Sequence, residues 1–437
     1  MKSTLLFFFY FLLNSLFAQN ENWQLFTNTQ IGINSSAITC IAEDKENNIW
    51  IGTNDEGIFK YDWNGWINFD TNNSPLTSNY ITSLAIDTNN SIWIGTFGNT
   101  GGLTKFDGYN WKTYNIDSNT TYDIQIDNDG SLWMGSYWKG LIHFDGDTNF
   151  TYYNSSNTNL NQLSDEIIAV NIQLDSVVLC GTELGGAAEF NKATTTWEEY
   201  FFPVVPIDLV INSIIVDANK NRWFAGIQYV SMLDSNSTWQ VFDYDSTNNY
   251  DYYHDIIVGD NNSLLFSSDN GLIELDYSNG EKWVKITPPD PELTDIGCDG
   301  LFRDQNGNIW IGYNNGFLAV YNPSGITNVN SQKEIPKTYY LFQNYPNPFN
   351  PTTTIKYSIP TSSPLTKGMT KEGFVTLKVY DVLGREIKTL VNKKQSPGTY
   401  TVEFNAASAA GGLPSGLYFY KLTAGEFSQT KKMLLLK

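Results

Sequence analysis

The feature that most limits what this chain can fold into is a short run, NIWIGT at residues 48–53, that keeps returning. It reappears as SIWIGT at 91–96, SLWMGS at 131–136 and NIWIGY at 308–313. Each copy follows a polar turn and precedes a glycine step into another apolar run. Anchored on its second apolar position, the copies fall at Trp50, Trp93, Trp133, Leu179, Trp223, Leu265 and Trp310, spaced 40 to 46 residues apart. The unit is clearest in the second copy. ITSLAID at 81–87 leads through a turn into SIWIGT, then GLTKFD at 102–107 and a last strand around Trp111 and Tyr114. Asn, Asp and Gly at the turns supply the backbone conformations that hairpins need. Four short antiparallel strands in about 43 residues is one blade of a β-propeller.

The outer strand gives an independent count. It occurs at Trp66, Trp111, Phe150, Trp197, Trp239 and Trp283, six times against seven inner units. The seventh copy lies at the other end of the chain, as WQLF at 23–26. A first strand that completes the last blade closes the ring and hides two sheet edges. The expected fold is therefore all-β: a seven-bladed β-propeller closed by an N-terminal strand, followed by a small C-terminal β-sandwich.

Charge marks the division. Residues 1–332 hold 12 Lys and Arg against 40 Asp and Glu, whereas residues 333–437 hold 14 against 6. So acidic a front part repels phosphates, which excludes nucleic acid as a partner. The first 18 residues read as a secretory signal peptide: Lys2, an apolar run at 5–13, and Leu16-Phe17-Ala18 as the cleavage site. The apolar run is too short for a membrane span, so no transmembrane anchor is expected. Cys40, Cys180 and Cys298 are too few and too widely spaced for a disulfide framework and read as buried small hydrophobes. The expected domains are signal peptide 1–18, propeller 19–325, linker 326–337 and sandwich 338–437.

The repeats resemble the two-component-regulator propeller repeats, whose hallmark is D-x-x-G-x-I-W-I-G-T-x-x-G-L. The run from Asp304 to Trp310, with Ile311-Gly312, matches best, and residues 127–135 come next. In that family such propellers often form the outer sensor part of signalling proteins. With no span or kinase-like region following, the sensor role is not expected here. Copies four to six depart from the pattern.

The tail closely resembles the type A sorting domain of the type IX secretion system. The matching residues are Tyr345, Pro346, Asn347, Pro348 and Phe349; Tyr380, Asp381 and Gly384; Pro397, Gly398 and Tyr400; Ser415, Gly416 and Tyr418; and Lys431, Lys432 and Met433. The resemblance implies passage across the outer membrane by the type IX machinery, and often tail removal with attachment to surface polysaccharide. It implies a secreted or cell-surface location. Residues 361–373 read as an enlarged loop.

Chemistry is sparse. His143 and His254 are the two histidines, and His143 reads as a strand residue. No nucleophile elbow, phosphate loop or two-His metal spacing appears, so no catalytic residue, metal or cofactor is expected. The Asp-rich turn at 127–130 reads as a hairpin turn, because it lacks a calcium loop's frame. The usable clue is aromatics that leave the repeat, on loops joining second to third strands and on loops between blades. Those loops gather at one face of a propeller. They carry Tyr137, Trp138, Lys139, Tyr229, Tyr252, Tyr253, His254, Tyr313 and Asn314 as ligand-binding candidates. Flat rings beside amides and carboxylates suit a glycan or a protein ligand. Binding is thus the expected role. The alternatives are a polysaccharide lyase or glycosidase working at the channel mouth near His254, and a structural surface or adhesin component.

Overall fold

The computed structural model describes residues 22–436 except 35, 63–64, 99–101, 119, 174–175, 245–250, 261–262, 278–279, 327–338, 361–372, 396–397, 409–411 and 426. The expected signal peptide, nearly all of the linker and nearly all of the enlarged tail loop lie outside these residues. The chain divides into two compact units, Met1–Thr327 and Asn328–Lys437.

The first unit is the seven-bladed propeller. Seven four-stranded antiparallel sheets follow one another at residues 38–69, 81–114, 121–153, 167–200, 211–242, 253–286 and 298–321, the last completed by Trp23–Phe26. That strand pairs with Leu318–Tyr321, Trp23 opposite Tyr321 and Phe26 opposite Leu318. Blade 7 is therefore built from both ends of the propeller sequence, and its outer edge is covered as the strand count required.

The second strand of each blade is buried along its whole length in blades 1, 2, 3, 6 and 7. An aspartate explains why its tryptophan tolerates this. In each of five blades the carboxylate six residues earlier accepts the indole N–H: Asp44 to Trp50 at 2.9 Å, Asp87 to Trp93 at 3.2 Å, Asp127 to Trp133 at 3.1 Å, Asp217 to Trp223 at 3.0 Å and Asp304 to Trp310 at 3.0 Å. In four of the five the other carboxylate oxygen holds the hairpin turn, as Asp44 Oδ1 does for the N–H groups of Glu46 and Asn48. One acid thus fixes the turn and satisfies a buried donor that would otherwise be costly. The two residues travel together. Where Leu179 and Leu265 replace tryptophan, Gln173 and Gly259 stand in the aspartate's place.

Each inner strand slips register after its first residue, as between Ile38 and Cys40 or Tyr253 and Asp255. Such bulges re-aim a side chain. Thr39 Oγ1 donates to the Ile81 carbonyl of the next blade at 2.6 Å, and Asn212 Nδ2 to the Tyr253 carbonyl at 2.7 Å. Just beyond the bulge, two carboxylates clasp three blades each. Asp123 accepts from Ser83 Oγ of blade 2 at 3.3 Å and from Val170 N–H of blade 4 at 2.8 Å. Asp255 accepts from Ser213 Oγ of blade 5 at 2.8 Å and from Leu301 N–H of blade 7 at 3.3 Å. Burial raises both carboxyl groups, Asp255 to about 6 despite these hydrogen bonds, with Asp123 adding to the rise. Cys180 and Cys298 are fully buried and Cys40 partly so; all three are unpaired, and burial keeps the thiols protonated.

The second unit is the small sandwich. One sheet joins Tyr340–Leu341, Thr352–Ile359 and Gly398–Asn405; the other orders Glu386–Gln395, Gly373–Tyr380, Gly416–Ala424 and Phe427–Leu435. A single core takes Ile355, Tyr357 and Phe404 from the first and Val375, Leu377, Tyr420 and Met433 from the second. The sequence motif at 345–349 is tied to the last strand. Asn347 Oδ1 accepts the Leu434 N–H at 2.8 Å, and the Phe349 N–H donates to the Leu434 carbonyl at 2.9 Å. Gly384, at φ 76°, closes the turn from Asp381. Gly398 and Gly416 open strands, Lys431 lies over the Tyr340 ring at 5.6 Å, and Lys432 is exposed. Among the described residues no helix is long and apolar enough to cross a membrane.

Candidate functional site

Loops that follow second and outer strands emerge on the same face of the propeller, where the inner strands begin. Exposed apolar side chains collect there. Among the described residues of the propeller fourteen large ones are well exposed, and ten belong to this face: Tyr80, Phe97, Tyr137, Trp138, Leu163, Leu184, Phe201, Phe202, Val204 and Leu209. Of the remaining four, three lie on outer strands and one, Tyr109, on a turn of the opposite face. The ten run as an arc over blades 2 to 5. Within it Tyr80 and Phe97 meet at 5.1 Å between ring centroids, Phe97 and Tyr122 at 6.3 Å, and Tyr137 and Trp138 edge to face at 5.9 Å.

Trp138 stands out by its backbone. Its φ is 57°, the left-handed region that a bulky residue avoids, while 43% of its surface is exposed. Burial of the ring does not offset that strain. Beside it, Lys139 Nζ pairs with Asp117 at 2.8 Å.

Across the channel mouth the character becomes polar. The bulge of the blade 6 inner strand carries His254, whose Nε2 lies 2.9 Å from Asp269 Oδ1 and 3.6 Å from Asp299 Oδ1. The Tyr252 ring lies 4.8 Å from the imidazole, and its hydroxyl donates to Asn212 Oδ1 at 3.5 Å. With its amide nitrogen turned to its acceptors, Asn314 donates to both oxygens of Asp299 at 2.8 and 3.1 Å. Burial and the neighbouring Asp269 raise Asp299, although His254 and Asn314 oppose the shift. On blades 3 and 4, Tyr122 donates to Glu166 Oε1 at 2.8 Å. Burial and Glu166 raise Glu183, and burial raises Tyr252, with Glu183 contributing from across the mouth. Among the described residues no group of three or more His, Cys, Asp or Glu is arranged to hold a metal.

The nine candidates thus separate. Tyr252, His254 and Asn314 converge around Asp299. Tyr137, Trp138 and Lys139 form a second group on blade 3. Tyr229 stands alone on blade 5, half-buried, its N–H on Asp208 at 3.2 Å. Tyr253 and Tyr313 must be corrected, because neither is a surface ring. Both are wholly buried, Tyr253 in the core shared by blades 5 and 6 and Tyr313 in that of blade 7. Alignment of the repeats carries the signal. Tyr253 occupies the inner-strand position of Ile38 and Ile81, and Tyr313 that of Thr53 and Thr96, all buried. Sequence reasoning missed Asp269, Asp299, Asn212 and Glu183 at the mouth, and Tyr80, Phe97 and the 201–209 loop in the arc.

The fold and its exposed rim define a closed repeat propeller with exposed apolar side chains gathered on one face, followed by a small sandwich. Residues 32–55 and 75–98 match the two component regulator propeller family, and residues 343–436 match the secretion system C-terminal sorting domain. The chain therefore carries a type IX sorting domain and is exported to the cell surface or secreted. No curated protein sequence matches it. Among solved structures it is similar to the extracellular domain of a hybrid two component system from B. thetaiotaomicron, at 14% identity and TM-score 0.60, covering 95% of this chain and 57% of that one. It is also similar to the extracellular domain of a one component system from the same organism, at 16% identity and TM-score 0.59, covering 94% and 59%. Virginiamycin B lyase from Staphylococcus aureus aligns at 15% identity and TM-score 0.55, over 68% of this chain and 98% of the lyase. The chain spans less than two thirds of the first two, and at these identities the likeness is one of fold.

Proposed function

We propose that this is an exported binding protein whose propeller takes a glycan or protein ligand on the loop face, between the aromatic arc and the acidic mouth. One observation carries the reading: of the fourteen large exposed apolar side chains among the described propeller residues, ten lie on that face. An apolar patch left open to water marks an interaction surface. Trp138 supports it, since backbone strain at an exposed ring contributes nothing to folding and persists at functional positions. In this reading a signal peptide at 1–18 is removed, the propeller at 19–325 binds, and a linker at 326–337 joins it to the sorting domain at 338–437. Attachment to surface polysaccharide after tail removal belongs to the same proposal.

Trp138→Gly tests it. Glycine relieves the φ strain, so the variant should unfold at higher denaturant while losing at least tenfold in affinity for a ligand found on a glycan and peptide array. Unchanged affinity would sink the site.

A second reading is favoured by His254, held at 2.9 Å from Asp269 and beside Tyr252. A histidine braced by carboxylates can move a proton, and a lyase shares the fold. On this reading the protein shortens or desaturates a polysaccharide, and His254→Ala stops it. Silence across a broad polymer panel counts against it.

A further inference from the structure

We infer that a cavity between blades 6 and 7 is a second binding site, shaped for a flat aromatic group that carries an N–H or ammonium donor. It opens on the face opposite the aromatic arc, measures about 230 Å³ and is lined by Leu265, Glu274, Ile286, Tyr321, Asp260 and Arg303 among others.

The other blades show what this space ordinarily holds. In blades 1 to 3 the tryptophan sits between an aromatic of its own outer strand and one from the next blade. Trp50 lies 5.8 Å from Phe69 and 6.0 Å from Phe106, Trp93 5.4 Å from Tyr114 and 5.9 Å from Phe144, and Trp133 6.1 Å from Tyr153 and 5.8 Å from Phe190. A lysine covers the indole in blades 1 and 2, Lys60 at 4.7 Å and Lys105 at 4.4 Å. Blade 6 keeps the frame and omits the filling. Leu265 pairs with Glu274 as Trp50 pairs with Lys60, Ile286 takes the place of Phe69, and Tyr321 that of Phe106. Gly259 stands where the aspartate would be.

Loss of an indole does not by itself leave a cavity. Blade 4 also has leucine, Leu179. There Arg222 of blade 5 reaches Glu189, the counterpart of Glu274, at 3.0 Å, and Tyr200 and Trp239 pack around the same cluster. In blade 6 the arginine is turned elsewhere. Arg303 pairs with Asp260 and donates to the Val258 carbonyl, while Glu274 accepts from Ser263 Oγ at 2.6 Å. The cavity therefore keeps apolar walls at Leu265, Ile286 and Ile309, a ring at Tyr321, and a carboxylate at Glu274 that no Lys or Arg of the described residues meets. About 150 Å³ is enough to take a benzene ring. The larger volume suits a ring with a short donor arm. An acidic lining in which the one guanidinium is already paired favours a cationic arm over an anionic one.

The test uses the purified full chain and tryptamine as probe, with indole-3-acetate as the anionic control, read by calorimetry and by thermal shift. Saturable tryptamine binding is expected, at least tenfold tighter than indole-3-acetate. Leu265→Trp with Gly259→Asp restores the indole and its aspartate acceptor, so it should fill the cavity and abolish binding. Glu274→Lys, which restores the residue type of Lys60 and Lys105, should abolish binding without filling the space, and it decides the matter if the first variant does not fold. Absence of saturable binding in the unmodified protein, binding retained by either variant, or equal binding of the two probes overturns the inference. None of these results bears on the loop face.

Discussion

Phe26 lies stacked on Trp310, ring centroids 6.1 Å apart, so the first described strand and the last blade share one core. The same ring meets Tyr61 at 5.4 Å and Trp66 at 5.9 Å, edge to face, on blade 1. One side chain thus locks the two blades that the closure brings together.

Phe26→Ala should therefore cost about 3–5 kcal/mol, the usual loss for deleting a buried aromatic ring. Phe202→Ala, on an exposed loop residue, should change stability by about 0.5 kcal/mol or less. Urea unfolding of the two variants gives the comparison.

The aspartate that meets each tryptophan makes a second prediction. Asp44→Ala removes the acceptor of a buried indole N–H and of two turn N–H groups together. A loss of about 1–3 kcal/mol is expected for the orphaned donor alone. Asp70→Ala, at an exposed turn with no indole to satisfy, should cost less in the same denaturant series.

Stability should also respond to pH through Asp255. Its folded-state value, about 6, stands above the ordinary 3.8, so the protonated form is favoured in the folded state. The contribution is fully present below about pH 4 and fades as pH rises through 6. Asp255→Asn cannot ionise, so its melting temperature relative to the unmodified protein should climb between pH 4 and 7. A constant difference across that range would contradict the assignment.

Export should depend on the tail. Removing residues 338–437 should leave a folded propeller in the periplasm, found by fractionation and absent from the surface. Asn347→Ala, which loses the tie to the last strand, should lower the surface fraction without abolishing it.

The architecture was legible because the repeat exposes its own logic. Tryptophan spacing gave seven units, and the outer strand missing after residue 325 pointed to Trp23. The coupling of Asp44 to Trp50 lay in the sequence too, since the acid disappears wherever the tryptophan does. The mouth was less legible, for a physical reason. A bulge at the head of every inner strand decides which side chain turns into the mouth. One residue of slip makes His254 a mouth residue and leaves its neighbour Tyr253 in the core. Asp299 reaches it from the neighbouring blade, and Glu183 faces it from across the mouth, pairings that lie tens of residues apart in sequence. The aromatic arc was half visible. Tyr137 and Trp138 break the repeat, whereas Phe97 and Tyr80 sit beside strand ends that look like any other.

The most direct measurement of the binding claim is hydrogen exchange of the full chain with and without a ligand taken from the array. Slowed exchange around Phe97 and in the loops at 137–140, 183–186 and 201–210, with the opposite turns unchanged, is the predicted result. Slowed exchange confined to the turns at 88–91, 107–110 and 145–149 would contradict it.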